Sequence, residues 1–290
     1  MTAFEENVLA AFGERGETWL VNLPQHVLKI AATEQLNTLV PFSNLSYHYV
    51  VRAVQNEKSV VLKVGLPGAD FTNELLALQA FANKSVVKVF TVVLDEGYYI
   101  MENIVPGESL YAKFPDTRTN VRIFVEQWRR LHSTAKSSIV LAKLPGISSW
   151  FETLNYSGDI PEAWLLEARR AQQRLADSNE DVILHGDLHH ENIVWDVSRG
   201  FVVIDPKGVI GHAYYDCVQF LFNKNATIEE FKLKLQLLIS THGFDADKLL
   251  DAVKALGTVY LLWSLEEQSK EAQQRYDQLE WLMNHQKEET

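Results

Sequence analysis

Two apolar-rich runs, HYVVRAV (48–54) and SVVLKVG (59–65), flank the polar stretch QNEK. That spacing predicts a β-hairpin. The next segment, FTNELLALQAFAN (71–83), switches to helical spacing. VVKVFTVVLDE (86–96) and YYIMENIV (98–105) then predict a second hairpin that turns near Glu96 and Gly97. Beyond Pro106 the period changes. PGESL reads as a turn, and helices are predicted over 120–135 and 162–177, then in DCVQFLF, 227–243, 245–270 and 271–286. At the start, FEENVLAAF places Phe4, Val8, Leu9 and Phe12 on one helical face. A β-rich front therefore gives way to an α-rich back between 103 and 107. The pattern predicts an α+β fold divided into 1–103 and 104–290.

Between these helices lies LHGDLHHENIVWD (184–196), followed nine residues later by the carboxylate of VVIDPKG. DVIL (181–184), NIVWD (192–196) and FVVID (201–205) read as short strands, with SRG (198–200) as a turn. Asp187 is then expected in a loop between strands and Asp205 at a strand end. Three chemistries compete for such a centre: a zinc-type hydrolase site, a phosphoryl-transfer site, and a polar loop with no chemistry.

Composition narrows the field. The chain has 290 residues, 47% of them hydrophobic, enough for one large or two smaller cores. Cys217 is the only cysteine, so disulfides and cysteine-based zinc sites within the chain are excluded, and a buried thiol in a cytoplasmic protein is expected. No apolar run reaches the ~20 residues of a membrane span, and the acidic first residues do not read as a secretory signal. A formal charge of −11 disfavours nucleic acid and anionic membranes and suits a cationic small substrate.

Phosphoryl transfer asks for specific groups. Magnesium takes hard oxygen ligands, few of them from protein. Asp205 and Asn192 offer a carboxylate and an amide oxygen. An acceptor hydroxyl needs a carboxylate to take its proton. Asp187 precedes Asn192 by five residues, and His185, Asp187 and Asn192 give the H-x-D-x-x-x-x-N pattern of kinase catalytic loops. Lys63 is the one charge in the apolar run VVLKV. Glu74 shares a helical face with Phe71, Leu78 and Phe81, so it is expected to turn inward and pair with Lys63. A metal-dependent hydrolase built on the histidines lacks an Asp-x-His strand motif in the first third of the chain. A kinase-like protein that binds without catalysing is opposed by the full set of polar residues.

LHGDLHHENIVWD, VVIDPKGVIG and YYD together resemble the aminoglycoside phosphotransferase and choline kinase-like family. Within it, the Asp-Pro-Lys-Gly form resembles the streptomycin and hydroxyurea kinases. The resemblance implies a protein-kinase-like two-lobed fold, ATP and Mg2+, and a small hydroxyl-bearing acceptor. A streptomycin-like aminoglycoside is favoured, with choline, a sugar or an amino acid as alternatives. It implies Asp187 as catalytic base, Asn192 and Asp205 as metal ligands, Lys63 on the α- and β-phosphates with Glu74 orienting it, and Asp216 bracing the catalytic loop. Adenine would meet the Glu102 carbonyl and the Ile104 amide. The nucleotide-covering turn, 41–49, has no glycine, which leaves Ser43, Asn44 and Ser46 to cap phosphates. His212 and Ala213 stand where Asp-Pro is common in relatives.

Several residues keep two readings. His185 is read as structural, Asp196 as a turn residue. His189 and His190 line the acceptor pocket or bond locally. Glu191 senses a cationic acceptor or is exposed. Lys207 neutralises phosphate charge or pairs with an acid. Glu266 and Glu267 form an acidic wall or a solvated helix end.

Overall fold

The computed structural model describes residues 1–82, 86–133, 143–155 and 160–285. The ends of three predicted helices (residues 83, 134–135 and 286) lie outside them. The front is a five-stranded antiparallel sheet: β1 (Asn37–Pro41), β2 (Tyr49–Gln55), β3 (Lys58–Val64), β4 (Val89–Val93) and β5 (Tyr98–Glu102), in the order β1-β2-β3-β5-β4. The two predicted hairpins are its centre.

Strand alternation decides what each face does. Val60, Leu62 and Val64 of β3, with Tyr98 and Ile100 of β5, pack under α1 (Ala3–Thr33). Val61 of β3, with Tyr99 and Met101 of β5, packs under α2 (Ala69–Ala80) through Phe71, Leu75 and Leu78. Lys63 falls on this second face, opposite Tyr99 in the register. The expected N-terminal helix is present and breaks at Gly13, just past FEENVLAAF, and a second helical segment continues to Thr33. Thr2 and Glu5 form a capping box, φ is 54° at Gly13, and Pro24 lies inside the second segment.

The back is mainly helical: α3 (Leu110–Lys113), α4 (Thr117–His132), a 3-10 helix (Ile147–Asn155), α5 (Glu162–Asp177), α6 (Tyr215–Phe222), α7 (Ile228–Gln236), a π-turn (Leu237–Thr241), α8 (Ala246–Glu266) and α9 (Ala272–His285). α8 runs through the middle and is buried along most of its length. Its Gly257 lets the Phe222 ring approach. A Cβ there would meet Phe222 Cε2 at 2.8 Å. Gly257→Ala is expected to cost about 1–3 kcal/mol by overpacking, measured as a lower urea midpoint at unchanged m-value. An unmoved midpoint would mean that the ring yields freely. No helix among the described residues is long and apolar enough to cross a membrane.

Five short strands join front to back. β6 (Pro106–Ser109), β8 (Ile193–Asp196) and β9 (Gly200–Val203) form one antiparallel sheet, while β7 (Asp181–Leu184) pairs with β10 (Val209–His212). PGESL is thus mostly a strand and not only a turn. Its turn chemistry yields to pairing with β8, which satisfies backbone groups that a free turn would leave to water. Val87 N–H donates to the Val203 carbonyl at 3.0 Å, and Arg199 Nη2 to the Val86 carbonyl at 3.0 Å, so the segment entering β4 is tied to the β8–β9 hairpin.

Candidate active site

Two loops leave the short strands side by side. Residues 185–192 connect β7 to β8, and 204–208 connect β9 to β10. His185 locks them together. Its buried ring bonds the Ile204 carbonyl through Nε2 at 2.8 Å, its Nδ1 accepts from Asp187 N–H at 3.2 Å, and its own carbonyl accepts from Lys207 N–H at 2.6 Å. Those bonds use both ring nitrogens, which supports the structural reading of His185.

Asp216, at the start of α6, holds the first loop from beneath. It is almost fully buried and accepts from His185 N–H at 2.8 Å and Gly186 N–H at 2.7 Å, with His132 Nε2 at 3.0 Å. Two backbone amides that would otherwise be orphaned are satisfied by one carboxylate. The loop's conformation is therefore fixed from below, and the Asp187 side chain carries none of that load.

Asp187 itself is partly exposed and touches His189 Nε2 at 3.4 Å. Burial pushes its carboxyl up, but the His189 hydrogen bond and the charges of His189 and Lys207 outweigh this and hold it below the usual carboxylate range. It is ionised at neutral pH. Burial pushes the His189 imidazole down, yet bonds to Asp187 and Glu191 lift it to about 9. Glu191 also pairs with Lys224 at 2.7 Å. Because the folded-state value of His189 is raised, its stabilisation is full below pH ~6.5 and is lost as pH rises through about 9. His189→Gln is therefore expected to destabilise most in acid to neutral buffer and least in alkali. Urea denaturation across pH checks this, and a pH-independent difference would contradict it.

The sheet supplies the third part of the site. Lys63 Nζ donates to Glu74 Oε1 at 2.6 Å and to Asp205 Oδ1 at 3.2 Å, and Tyr99 OH donates to Glu74 Oε1 at 2.7 Å. The pairing expected of an inward lysine and an inward acid is present. Burial pushes Lys63 down, but Asp205 and Glu74 together hold it above its usual value. Asp205 lies two residues past β9, not at its last residue, with φ 57°. A non-glycine residue in the left-handed region is a local cost that clusters at functional sites. Burial raises its carboxyl, and the charge of Lys63 more than offsets this. Gly208 lets this loop meet α2. A Cβ there would lie 2.3 Å from the Asn73 carbonyl oxygen, and its φ of 70° favours glycine.

Which oxygens remain for a cation? Asn192 spends its Nδ2 on the Asp187 carbonyl at 2.8 Å. Its Oδ1 accepts no hydrogen bond among the described residues, and one oxygen of Asp205 is likewise open. One carboxylate and one amide oxygen suit magnesium, which keeps much of its water. They do not suit zinc, which takes three or four His, Cys or carboxylate ligands. Among the described residues no three such side chains converge. His190 is turned away from the loop, buried, bonded to Asn223 Oδ1 at 2.6 Å and stacked on Phe220 at 4.4 Å.

The remaining candidates separate. Asp196 is the turn residue expected, accepting from Ser198 and Arg199 amides, and its Oδ2 also accepts from Val105 N–H at 3.3 Å. That bond ties the segment after β5 to the hairpin. Glu102, the last residue of β5, directs its side chain to Arg199, while in the segment beyond it the Ile104 amide has no hydrogen bond among the described residues. Ser46 is exposed on the β1–β2 turn. Glu266 and Glu267 are exposed at the end of α8. Cys217 is a buried free thiol.

Sequence reasoning passed over two features. His48, just before β2, packs over Gly65 and edge-on to Phe71 at 5.9 Å, so it hangs beside the Lys63 site. Burial, then the charge of Lys63, push it down to about 3, which leaves the ring neutral. The other is an aromatic wall. Trp150 touches the place of a Gly186 side chain, meets Trp263 edge-on at 5.8 Å, and Trp263 meets Tyr260 at 5.7 Å. Only the strand register points to His48; nothing local points to the wall.

Comparison with known proteins places these features in a family setting. Residues 35–267 match the family model described as aminoglycoside/hydroxyurea antibiotic resistance kinase. Streptomycin 3''-kinase of Klebsiella pneumoniae is 29% identical over 151 residues, 49% of this chain and 56% of that protein. The chain thus spans little more than half the length of that relative. Streptomycin 6-kinase of Streptomyces griseus is 22% identical over 224 residues, 70% of this chain and 68% of that protein. In fold, choline kinase LicA from Streptococcus pneumoniae superposes with a TM-score of 0.63 at 18% identity, over 90% of this chain and 98% of that one. Aminoglycoside phosphotransferase APH(4)-Ia gives 0.64 at 14%, over 89% and 98%.

Proposed function

The chain belongs to the aminoglycoside/hydroxyurea antibiotic resistance kinase family, and on that premise we propose that it is an ATP- and magnesium-dependent phosphotransferase that moves the γ-phosphate to a hydroxyl of a small aminated acceptor, a streptomycin-like aminoglycoside first of all. The observation that carries this reading is the arrangement around Asp187. An ionised carboxylate stands on a loop braced by Asp216, and its neighbouring loop brings Asp205 onto the Lys63–Glu74 pair.

Each residue then has a task. Asp187 orients the acceptor hydroxyl and takes its proton. Lys63 meets the α- and β-phosphates, and Glu74, itself held by Tyr99, keeps that ammonium in place. Ser46 caps phosphate oxygens from the β1–β2 turn. The Ile104 amide and the Glu102 carbonyl receive the adenine edge. Asn192 Oδ1 and Asp205 hold the cation. When bound, magnesium supplies charge neutralisation across the phosphate oxygens. Residues 1–103 serve the nucleotide, and 104–290 the catalytic loop and the acceptor. The donor nucleotide places the protein in the cytoplasm.

A second acceptor class is favoured by one observation. The Trp150–Trp263 pair beside the catalytic loop offers indole rings on which an amino alcohol such as choline would be held by cation–π attraction. Mass spectrometry decides. Protein, ATP and magnesium are incubated separately with streptomycin, choline, a hexose and a hydroxy amino acid. The expected product is streptomycin heavier by one phosphoryl group, with matching ADP. Phosphocholine instead would select the second reading, and no product with any acceptor would refute the activity.

A further inference from the structure

Lys207 lies in the 204–208 loop between buried Pro206 and buried Gly208, yet its own side chain is exposed. Its N–H is anchored on the His185 carbonyl at 2.6 Å, and its Cβ sits beside Gly186, the residue before Asp187. The side chain therefore leaves the loop next to the catalytic carboxylate. Its charge is felt on one side at Asp187 and on the other at His48. Among the described residues it forms no ion pair and no side-chain hydrogen bond. The alternative that it pairs with a nearby acid has no partner here.

The charge balance gives such a lysine work. Lys63 is shared between two carboxylates, Glu74 and Asp205, and its assigned task is at the α- and β-phosphates, not the γ. The β1–β2 turn has no glycine, so no glycine-rich backbone wraps the phosphates. A phosphoryl group passing to an acceptor carries charge on its three equatorial oxygens. Among the described residues, Lys207 is a cation without an ion-pair partner whose charge reaches Asp187.

We propose that Lys207 is a catalytic residue that contacts the transferred phosphoryl group, an inference that rests on the phosphotransfer reading above. The acceptor oxygen bonds to the γ-phosphorus while the bond from that phosphorus to the β–γ bridging oxygen breaks. The hydroxyl proton passes to Asp187, and ADP leaves with the bond's electron pair. Lys207 keeps its proton throughout and donates N–H bonds to the equatorial oxygens, where fixed charge acts on the transition state more than on the ground state.

Aluminium fluoride, a mimic of the phosphoryl group in flight, tests this without turnover. ADP and magnesium are titrated into wild type, Lys207→Met and Lys207→Arg, with the acceptor that the screen identifies present, with and without aluminium fluoride. ADP alone is expected to bind all three within about threefold. Aluminium fluoride is expected to tighten wild type strongly, Lys207→Met at least ~10²-fold less, the loss typical of one oxyanion donor, and Lys207→Arg in between. If Lys207→Met keeps the full gain, the role of Lys207 is wrong while phosphotransfer stands. If wild type binds ADP but shows no gain, the phosphotransfer reading falls and takes this one with it.

Discussion

Asp187→Asn is expected to fold like the parent, bind ATP and magnesium within a few fold, and lose phosphoryl transfer by about 10²–10⁴-fold, the usual contribution of a positioned base. The expectation follows from a division of labour in the loop. Asp216 carries the two backbone amides at His185 and Gly186, and the Asn192 side chain bonds the Asp187 carbonyl, not its carboxylate. Among the described residues the Asp187 side chain bonds His189 alone, at 3.4 Å, and is partly exposed. Exchange for an amide of equal size therefore removes proton acceptance and the charge of the His189 pair, while the bonds that shape the loop stay in place. The checks are urea unfolding, nucleotide titration, and turnover with the acceptor that the screen identifies. Turnover within tenfold of the parent would remove Asp187 from its role.

Lys63→Met is expected to act on stability as much as on activity. Glu74 is buried, and burial already raises its carboxyl despite the opposing charge of Lys63. Removing the lysine strands that carboxylate with only the Tyr99 hydroxyl. Breaking a buried pair from one side costs about 3–5 kcal/mol, whereas replacing both partners with neutral groups is often nearly neutral. The double variant Lys63→Met/Glu74→Gln is therefore expected to recover most of the loss, still without transfer. Urea denaturation of the parent, both single variants and the double variant measures the coupling. A cost under about 1 kcal/mol for Lys63→Met would show that the pair is not desolvated as described.

The sequence made some of this legible because the signals were local or periodic. A lone cation in a buried strand and an acid on the inner face of the next helix must meet, since neither can stay unpaired. The His-x-Asp spacing fixes Asp187 and Asn192 on one loop. Other features hinge on contacts that no short window contains. His48 reaches the site only because the β2–β3 register puts it across from Gly65. Trp150 and Trp263 come from the 3-10 helix and α8, more than a hundred residues apart in the chain. Elsewhere a local rule was overridden. Gly13 breaks the first segment as its chemistry suggests, yet burial of Leu23, Val27 and Ile30 on the sheet carries the helix past Pro24. PGES has turn chemistry, but β8 offers it a ladder.

In the proposed reaction Asp205 and Asn192 share the cation that carries the nucleotide's phosphates. Crystals grown with ADP and manganese, standing in for magnesium, address it through the anomalous signal of the metal. One peak is expected about 2.0–2.3 Å from an Asp205 oxygen and from Asn192 Oδ1, beside the bound nucleotide. A peak ligated by histidines, or bound nucleotide whose metal touches neither residue, would contradict it.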